Sequence, residues 1–504
     1  MTKRLQVMKF GGTSVGDASC IRSVVEIIAA ASRQCSVAVV VSAMGGVTNR
    51  LIEAANESKS GNEAAVAEIF AHLRKQHDDV VTALIHSEEG RLRLEKTLNQ
   101  LFADGERLCQ GTICLRELTP RTLDAISGLG ERLCAPLVAA ALAEISVASE
   151  SIEATELVVT DSYHGGAEPW IDLTRARCQA RVAPLLEAGI VPVVTGFIGA
   201  SDDGILTTLG RGGSDYSATI LGAALDADEV VIWSDVPGLL TADPRLVADA
   251  CTIAEISYRE AAELAYFGAK VLHPKTLRPV IESGIPIWIK STFAPEQSGT
   301  KITPTGPLHT GGVTALTAMR DAALITVTVS GNHTQGGTQS VPDALARTVA
   351  TAAAVRADVL LVSQASAHND ICLVVSSSAA KRTVEALRHE FSPDLMRETV
   401  GHTVFDSAVS VITLVGQNLR TAPGTVARTF AALGQENVDI IAAMHGSSDC
   451  SMSFVVPQQD IKIALASLHR ELELNTLSAT RHPVSDGAGP TAIWKCEPEQ
   501  AAAD

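Results

Sequence analysis

Aromatic residues are scarce in this chain of 504 residues, at 4%. Any buried core must therefore be built mainly from Ala, Val, Leu and Ile. Positive charge is also in short supply: Lys+Arg is 40 against Asp+Glu 57, a net −17. Such a field repels nucleic acid and anionic lipid, so neither a nucleic acid nor a membrane is expected as a partner. No uninterrupted apolar run approaches the roughly 20 residues that cross a bilayer. Lys3 and Arg4 are followed by no apolar stretch of the signal-peptide kind. The 10 cysteines are scattered and no Cys-x-x-Cys occurs. This excludes the common zinc and thioredoxin-like spacings and leaves free thiols in a reducing cytoplasm as the expectation. No Gly-Lys pair occurs either, so there is no Walker A loop. What remains is ample for folding: 46% hydrophobic and 19% charged residues, in a length suited to about three domains.

Short runs rich in Val and Ile predict buried strands at Leu5–Phe10, Val37–Val41, Ile190–Val194, Glu229–Trp233 and Ile285–Ile289. They are nearly continuous rather than alternating, as strands covered on both faces should be. Helical spacing lies between them, as in Val66, Ile69, Phe70 and Leu73, or Leu133, Leu137, Val138, Ala141 and Leu142. Pro136 in the second set should lie in a first turn or mark a kink. The alternation predicts an α/β domain over 1–300 with a mainly parallel central sheet. Its helix-rich part, about 55–130, is expected to cap one end of that sheet. A Pro/Gly-rich linker follows, and then an internal repeat. VLLVSQASAHNDICLVV (359–375) and IIAAMHGSSDCSMSFVV (440–456) both read as strand, polar turn, strand. Each copy has a helix before and after it, and each first helix follows a strand ending at Asn, Asn332 or Asn418. The unit is β-α-β-β-α, a small sheet with helices on one face. We expect one unit over 313–398, a second over 405–475 and a tail over 476–504.

Three glycine-rich loops follow predicted strands. Lys9-Phe10-Gly11-Gly12-Thr13-Ser14 joins the first strand to a helix, where glycines let backbone approach a phosphate and helix N–H groups point at it. Leu209-Gly210-Arg211-Gly212-Gly213-Ser214-Asp215 also opens a helix, expected over Tyr216–Leu225. Arg211 there offers a fork for a carboxylate or phosphate. Ser214 reads either as a helix cap or as a site residue, and Asp215 as a helix-start charge or the organiser of a cation. Ser42-Ala43-Met44-Gly45-Gly46-Val47-Thr48-Asn49 is the third loop. Each alone is compatible with an ordinary turn; together they mark the carboxyl edge of a parallel sheet, where ligands bind. Trp233-Ser234-Asp235-Val236-Pro237-Gly238, Thr241-Ala242-Asp243-Pro244-Arg245 and Phe267–Pro274 read alone as turn regions, with His273 a turn residue.

In order and spacing, KFGGTS (9–14), SAMGGVTN (42–49), GER (130–132), GFIGA (196–200), TTLGRGGSD (207–215), WSDVPG (233–238), TADPR (241–245) and FGAKVLHP (267–274) resemble the aspartate kinase family of the amino-acid kinase superfamily, over about 5–475. The resemblance implies a three-layer amino-acid kinase fold followed by two ferredoxin-like βαββαβ ACT units. A strand at Val313–Leu316 would complete the later unit. It implies phosphoryl transfer from ATP, with Mg²⁺, to the side-chain carboxylate of L-aspartate, the entry to lysine, threonine and methionine synthesis. It makes Lys9 and Asp215 catalytic, with Asp215 orienting Lys9. Ser42, Thr48, Glu131, Arg211, Gly212, Gly213 and Ser214 would bind aspartate. Lys9, Phe10, Gly11, Gly12, Ser234, Asp235, Leu240, Arg245, Lys270 and Val271 would bind ATP. No dedicated protein metal site is implied.

The repeat, with the Asn332 and Gln364 amides expected at the same turn-strand edge, points to an amino-acid effector site in the first ACT unit; by the same resemblance, ACT pairing would make a homodimer or larger assembly. Two positions depart from the family: Leu240 stands where a Tyr is common, and Ser234 replaces a common Thr. Some members are fused to a homoserine dehydrogenase; with about thirty residues after the second repeat, this chain reads as monofunctional. Both substrates are anions, so the acidic total implies a locally positive cleft built from Lys9, Arg211, Arg245 and Lys270. A kinase acting on glutamate, and a non-catalytic amino-acid sensor, are the alternatives.

Overall fold

The computed structural model describes residues 3–268, 272–307, 312–329, 341–365, 370–392, 400–422, 424–445 and 448–476. In chain order the strands of the first part are β1 (Leu5–Phe10), β2 (Ser36–Val41), β3 (Ser149–Ile152), β4 (Val159–Thr160), β5 (Val191–Thr195), β6 (Ile198–Ser201), β7 (Leu206–Thr208), β8 (Glu229–Ser234), β9 (Glu255–Ser257), β10 (Ile287–Ser291) and β11 (Thr300–Thr303). Eight form one sheet, in the order β3-β5-β2-β1-β8-β10-β11-β9. Every neighbouring pair is parallel except β10 with β11. A small sheet, β4-β6-β7, stands apart.

The apolar runs are explained by two cores. Met8, Phe10, Val37, Val39 and Val41 face one cluster, with the helices Ala18–Ser32 and Leu129–Glu144. Val7, Ala38, Val40, Val230 and Ile232 face the other, with the helix Gly213–Ala224. A strand buried on both sides has no polar face to alternate.

The helices Val47–Ser60, Glu63–Leu84 and Glu88–Leu115 join the first cluster. The segment expected to cap an end of the sheet thus forms an outer layer on one face, because its apolar stripes match that face's helices. The helical stretch Pro120–Glu144 is apolar and long enough to cross a membrane, yet most of it is buried inside the protein. Pro136 lies in the interior of the helix Leu129–Glu144, not in its first turn.

The repeat builds one continuous sheet, not two small ones. β12 (Gly312–Val329), β13 (Val359–Ala365), β14 (Asp370–Ser376), β15 (Val400–Gln417), β16 (Ala442–His445) and β17 (Ser451–Pro457) lie in the order β13-β14-β12-β15-β17-β16. β12 and β15 run antiparallel along their length. The segment Val313–Leu316 pairs with Gly416–Leu414, the second unit's strand, as the resemblance implied. The same strand continues to pair Ala322–Thr328 with β14 of the first unit.

A register shift between Met319 and Ala322 makes this continuity workable. Met319 and Ala322 are three apart, yet both border the cluster of Val374, Val409, Val411 and Val455. One bulged residue thus restores the alternation that would otherwise invert. Leu316 and Ala318 on one side of the bulge, and Ala323, Ile325 and Val327 on the other, consequently share the helix-covered face. The opposite face meets Phe267 of the first part.

Candidate active site

The parallel strands end level with one another. Phe10 is in register with Val41 and Trp233, Val41 with Thr195, and Ser234 with Ser291. The residues just beyond remain tied: Gly11 N–H donates to the Trp233 carbonyl (3.2 Å), Ser42 N–H to Phe10 (3.1 Å), Gly196 N–H to Val41 (2.8 Å) and Thr292 N–H to Ser234 (2.9 Å). The loops after β1, β2, β5, β8 and β10 therefore open on one crevice at the carboxyl edge of the sheet. The Arg211 loop does not follow a parallel strand as expected: it leaves β7, antiparallel to β6 in the small sheet, and joins the crevice through the Asp215–Lys9 pair.

Lys9, near the end of β1, is only 8% exposed. Its Nζ lies 2.6 Å from Asp215 Oδ1. Asp215 occupies the first turn of the helix Gly213–Ala224, where the macrodipole favours a carboxylate. Gly212, at φ 71°, supplies the left-handed turn into that helix, and a Cβ there would stand 2.6 Å from His273 Cβ. The helix therefore starts earlier than the sequence suggested. Ser214 is inside it, so the capping role is taken by Gly212, and Ser214 packs against Gly196 instead. Gly213 likewise lies under Phe197.

Phe197 itself has φ 67°, costly for a side chain with Cβ. It is held by Ser217 Oγ, which accepts from its N–H (3.0 Å), and by Leu209 N–H, which donates to its carbonyl (2.8 Å). Arg211 is exposed and has no ion-pair partner among the described residues.

Glu131, in the first turn of its helix, is 3% exposed. Its Oε1 accepts from Ala43 N–H at 3.1 Å, while Oε2 is buried without a partner among the described residues. Burial pushes its pKa up to about 8, with the Ala43 N–H and the Lys9 charge opposing. A buried carboxyl with an unused oxygen is a receptor for a cationic group. Ser42 and Thr48 are half-buried on either side of the loop whose Ala43 holds Glu131. Gly12 lets the first loop approach this one: a Cβ there would be 3.1 Å from the Ala43 carbonyl.

The nucleotide candidates divide. The Phe10 ring is fully buried and stacked on Trp233 (6.0 Å, 8°), which leaves its backbone for a ligand. Ser234 Oγ donates to Asp235 Oδ1 at 3.0 Å. Leu240 is half-buried and bridges to Thr252. Arg245 is bound by Asp243, through its Nε (2.9 and 3.1 Å) and Nη2 (2.6 Å). Of the four cations expected to line the cleft, Lys9 and Arg245 each carry a carboxylate partner. Lys270 and Val271 lie outside the described residues, as does Asn332. Gln364 is exposed on β13, an edge strand of its sheet.

Sequence reasoning missed Asp124. This buried carboxylate, in the helix Pro120–Ser127, accepts from His164 Nδ1 (2.7 Å), Gly165 N–H (3.1 Å), Thr208 N–H (3.2 Å) and Thr208 Oγ1 (2.6 Å). It thereby fixes Gly165 beside Gly210, next to Arg211. Nothing in its local sequence distinguishes it; its partners are 40 to 84 positions away.

Comparison with known proteins accords with this geometry. The model of the amino acid kinase family matches residues 4–291, and that of an ACT domain residues 412–472. Lysine-sensitive aspartokinase 3 of Escherichia coli (strain K12) is 31% identical over 472 residues, covering 92% of this chain and 98% of that protein. Bifunctional aspartokinase/homoserine dehydrogenase 2, chloroplastic, of Arabidopsis thaliana is 29% identical over 491 residues, covering 95% of this chain and 52% of that protein. The chain thus spans about half the length of the bifunctional relatives it matches. Among solved structures, E. coli aspartokinase III with aspartate and ADP (R-state) superposes with a TM-score of 0.76 at 28% identity, covering 93% of this chain and 100% of that one. The form with lysine and aspartate (T-state) gives 0.73 at 28%, covering 93% and 99%.

Proposed function

The chain belongs to the amino acid kinase family, and from that premise we propose that it transfers the γ-phosphoryl group of ATP to the side-chain carboxylate of L-aspartate, giving 4-phospho-L-aspartate. The observation that carries the proposal is the Lys9–Asp215 pair beside the buried Glu131 carboxyl, whose Oε2 has no partner among the described residues, with Arg211 exposed four residues before Asp215. The acceptor carboxylate is ionised at neutral pH, so the site needs no general base. What it must provide is alignment and neutralisation of charge in an in-line transfer.

Lys9, aimed by Asp215, neutralises the transferring group over the Gly11-Gly12 backbone. Arg211 grips the α-carboxylate, beside Gly212, Gly213 and Ser214. Glu131 takes the α-ammonium, with Ser42 and Thr48 lining the pocket. Ser234, Asp235, Leu240, Arg245, Lys270 and Val271 serve the nucleotide. Among the described residues no three His, Cys, Asp or Glu converge on a metal site. Mg²⁺ would be held largely by nucleotide phosphates and water with one or two carboxylates; Asp215 and Asp235 are the candidates. Bound there, the ion would screen phosphate charge in the transition state.

A coupled ADP-release assay with aspartate and with glutamate tests the reaction. ADP release with aspartate alone is expected, and release with glutamate alone would overturn the substrate. Lys9→Ala should lower kcat by at least roughly 100-fold, the scale of a lost transition-state contact; near-wild-type turnover would remove its role.

We further propose that the enzyme serves the first step of lysine, threonine and methionine synthesis in the cytoplasm. In this reading an end-product amino acid regulates it through the repeated units, which also join copies of the chain. A lysine-bound structure exists for the E. coli relative. With lysine and threonine added separately and together, at least one of the additions should inhibit the assay. Insensitivity to every end product would dismiss the regulatory reading.

A further inference from the structure

The turn that carries Arg245 is not supported by the kinase sheet alone. Thr241, which begins that turn, is 1% exposed, and His469, on the helix Ile461–Glu471 of the second repeat, is 2% exposed. Thr241 Oγ1 lies 3.0 Å from His469 Nε2 across 228 residues of chain. The hydroxyl also accepts from Cys251 N–H (3.0 Å), which leaves its own proton for the imidazole. Burial holds His469 below the usual histidine range, with Asp249 the charge that opposes this, so the ring is neutral and able to accept.

The main chain of Thr241 is pinned as well. Its N–H donates to the Cys251 carbonyl (2.9 Å), and its carbonyl accepts from Leu316 N–H of β12 (2.8 Å). The residues after it follow the same direction: Ala242 and Val247 are buried in one cluster with Leu316, Ile412, Leu465 and Leu468. Asp243 comes next, and its carboxylate binds both the backbone N–H and the guanidinium of Arg245.

We propose that His469 is a positioning residue of the nucleotide site, acting through Thr241 to set the turn that presents Asp243 and Arg245. The second repeat is then a structural part of the ATP site in the same chain, whether or not any effector is bound. This rests on the assignment of Arg245 to the nucleotide made above. A buried hydrogen bond of this kind governs where a loop sits, and its loss should be read in nucleotide affinity rather than in the chemical step.

The test uses the full-length chain, with ATP and aspartate varied separately and ADP titrated by calorimetry. Thr241→Val and His469→Leu should each raise the KM for ATP and the Kd for ADP about 3- to 10-fold, the span expected for one lost hydrogen bond. The KM for aspartate should stay within about twofold. The double variant should be no worse than the worse single one, because both remove the same bond. Thr241→Ser and His469→Gln, which keep hydrogen-bonding groups, should recover most of the affinity.

Equal shifts in both KM values, a fall in kcat alone, or fully additive effects would overturn the proposal. Should His469→Leu fail to fold by circular dichroism, the Thr241→Val and Thr241→Ser pair decides the matter. A wild-type chain that binds ADP but phosphorylates no aspartate would defeat the functional reading, while the ADP titrations still judge the brace.

Discussion

Glu131 shows how a single residue can be unfavourable for the fold and useful to the site. Its carboxyl is surrounded by the first core layer, with one N–H partner for two oxygens. Unfolded, it titrates near 4.5; in the folded chain burial lets it hold its proton to about pH 8. Between those values the unfolded chain has lost a proton that the native chain keeps, so stability falls as pH rises across that window. Glu131→Gln should accordingly raise the melting temperature more at pH 8 than at pH 5; an equal gain at both would place the carboxyl in a wetter setting. Function responds in the opposite sense. An ammonium group needs the carboxylate form, so the KM for aspartate should fall as pH rises from 6 to about 8 and then level off. In the Gln variant that dependence should flatten; steady-state kinetics across this range would show it.

At the scale of elements, loops are held by residues far from them in sequence. The left-handed Phe197 is retained because Ser217 and Leu209 bind both its backbone groups. Asp124 does the same for a larger unit, joining the helix Pro120–Ser127, the turn at His164 and Gly165, and β7 at Thr208. Asp124→Ala would strand these donors without a carboxylate, at a cost of about 1–3 kcal/mol for each that stays buried. The melting temperature should drop by several degrees. Because the anchored turn adjoins Gly210 and Arg211, the KM for aspartate should rise about tenfold or more while that for ATP changes little. A variant with both constants equally raised would show that the network supports the whole fold rather than the Arg211 loop.

At the scale of the whole molecule, the two parts share cores and hydrogen bonds. Ala242 and Val247 enter the core of the repeat, and Phe267 covers the repeat's open sheet face. Glu260 accepts from Thr314 Oγ1 (2.6 Å) and Gln417 Nε2 (3.1 Å), one on each of the two long strands. A chain ending at Thr303 would expose these apolar side chains together, a patch of the kind that drives association. We expect such a fragment to bind the dye ANS and to elute as aggregates in size-exclusion chromatography. A monomeric, dye-silent fragment would show that the kinase part closes its own surface. The net charge of −17 is met locally as well, since carboxylates answer Lys9 and Arg245.

Much of this is legible in the amino-acid sequence alone. The strands were readable because burial on both faces leaves an unbroken apolar run, as at Val37–Val41. Glycines beside Lys9, Arg211 and Thr48 were readable because close backbone approach is a local demand. These features sit within a few residues of one another and need no knowledge of the rest of the chain. The early start of the helix at Gly213 was not readable, since it depends on Gly212 fitting against His273. Neither was the fusion of two repeats into one sheet, where a register shift between Met319 and Ala322 changes which side chains face the helices. Asp124, His469 and the unsatisfied oxygen of Glu131 also came only with the tertiary structure. Their meaning lies in burial and in partners dozens to hundreds of residues away, and no local pattern records which polar groups the folded chain will close in together.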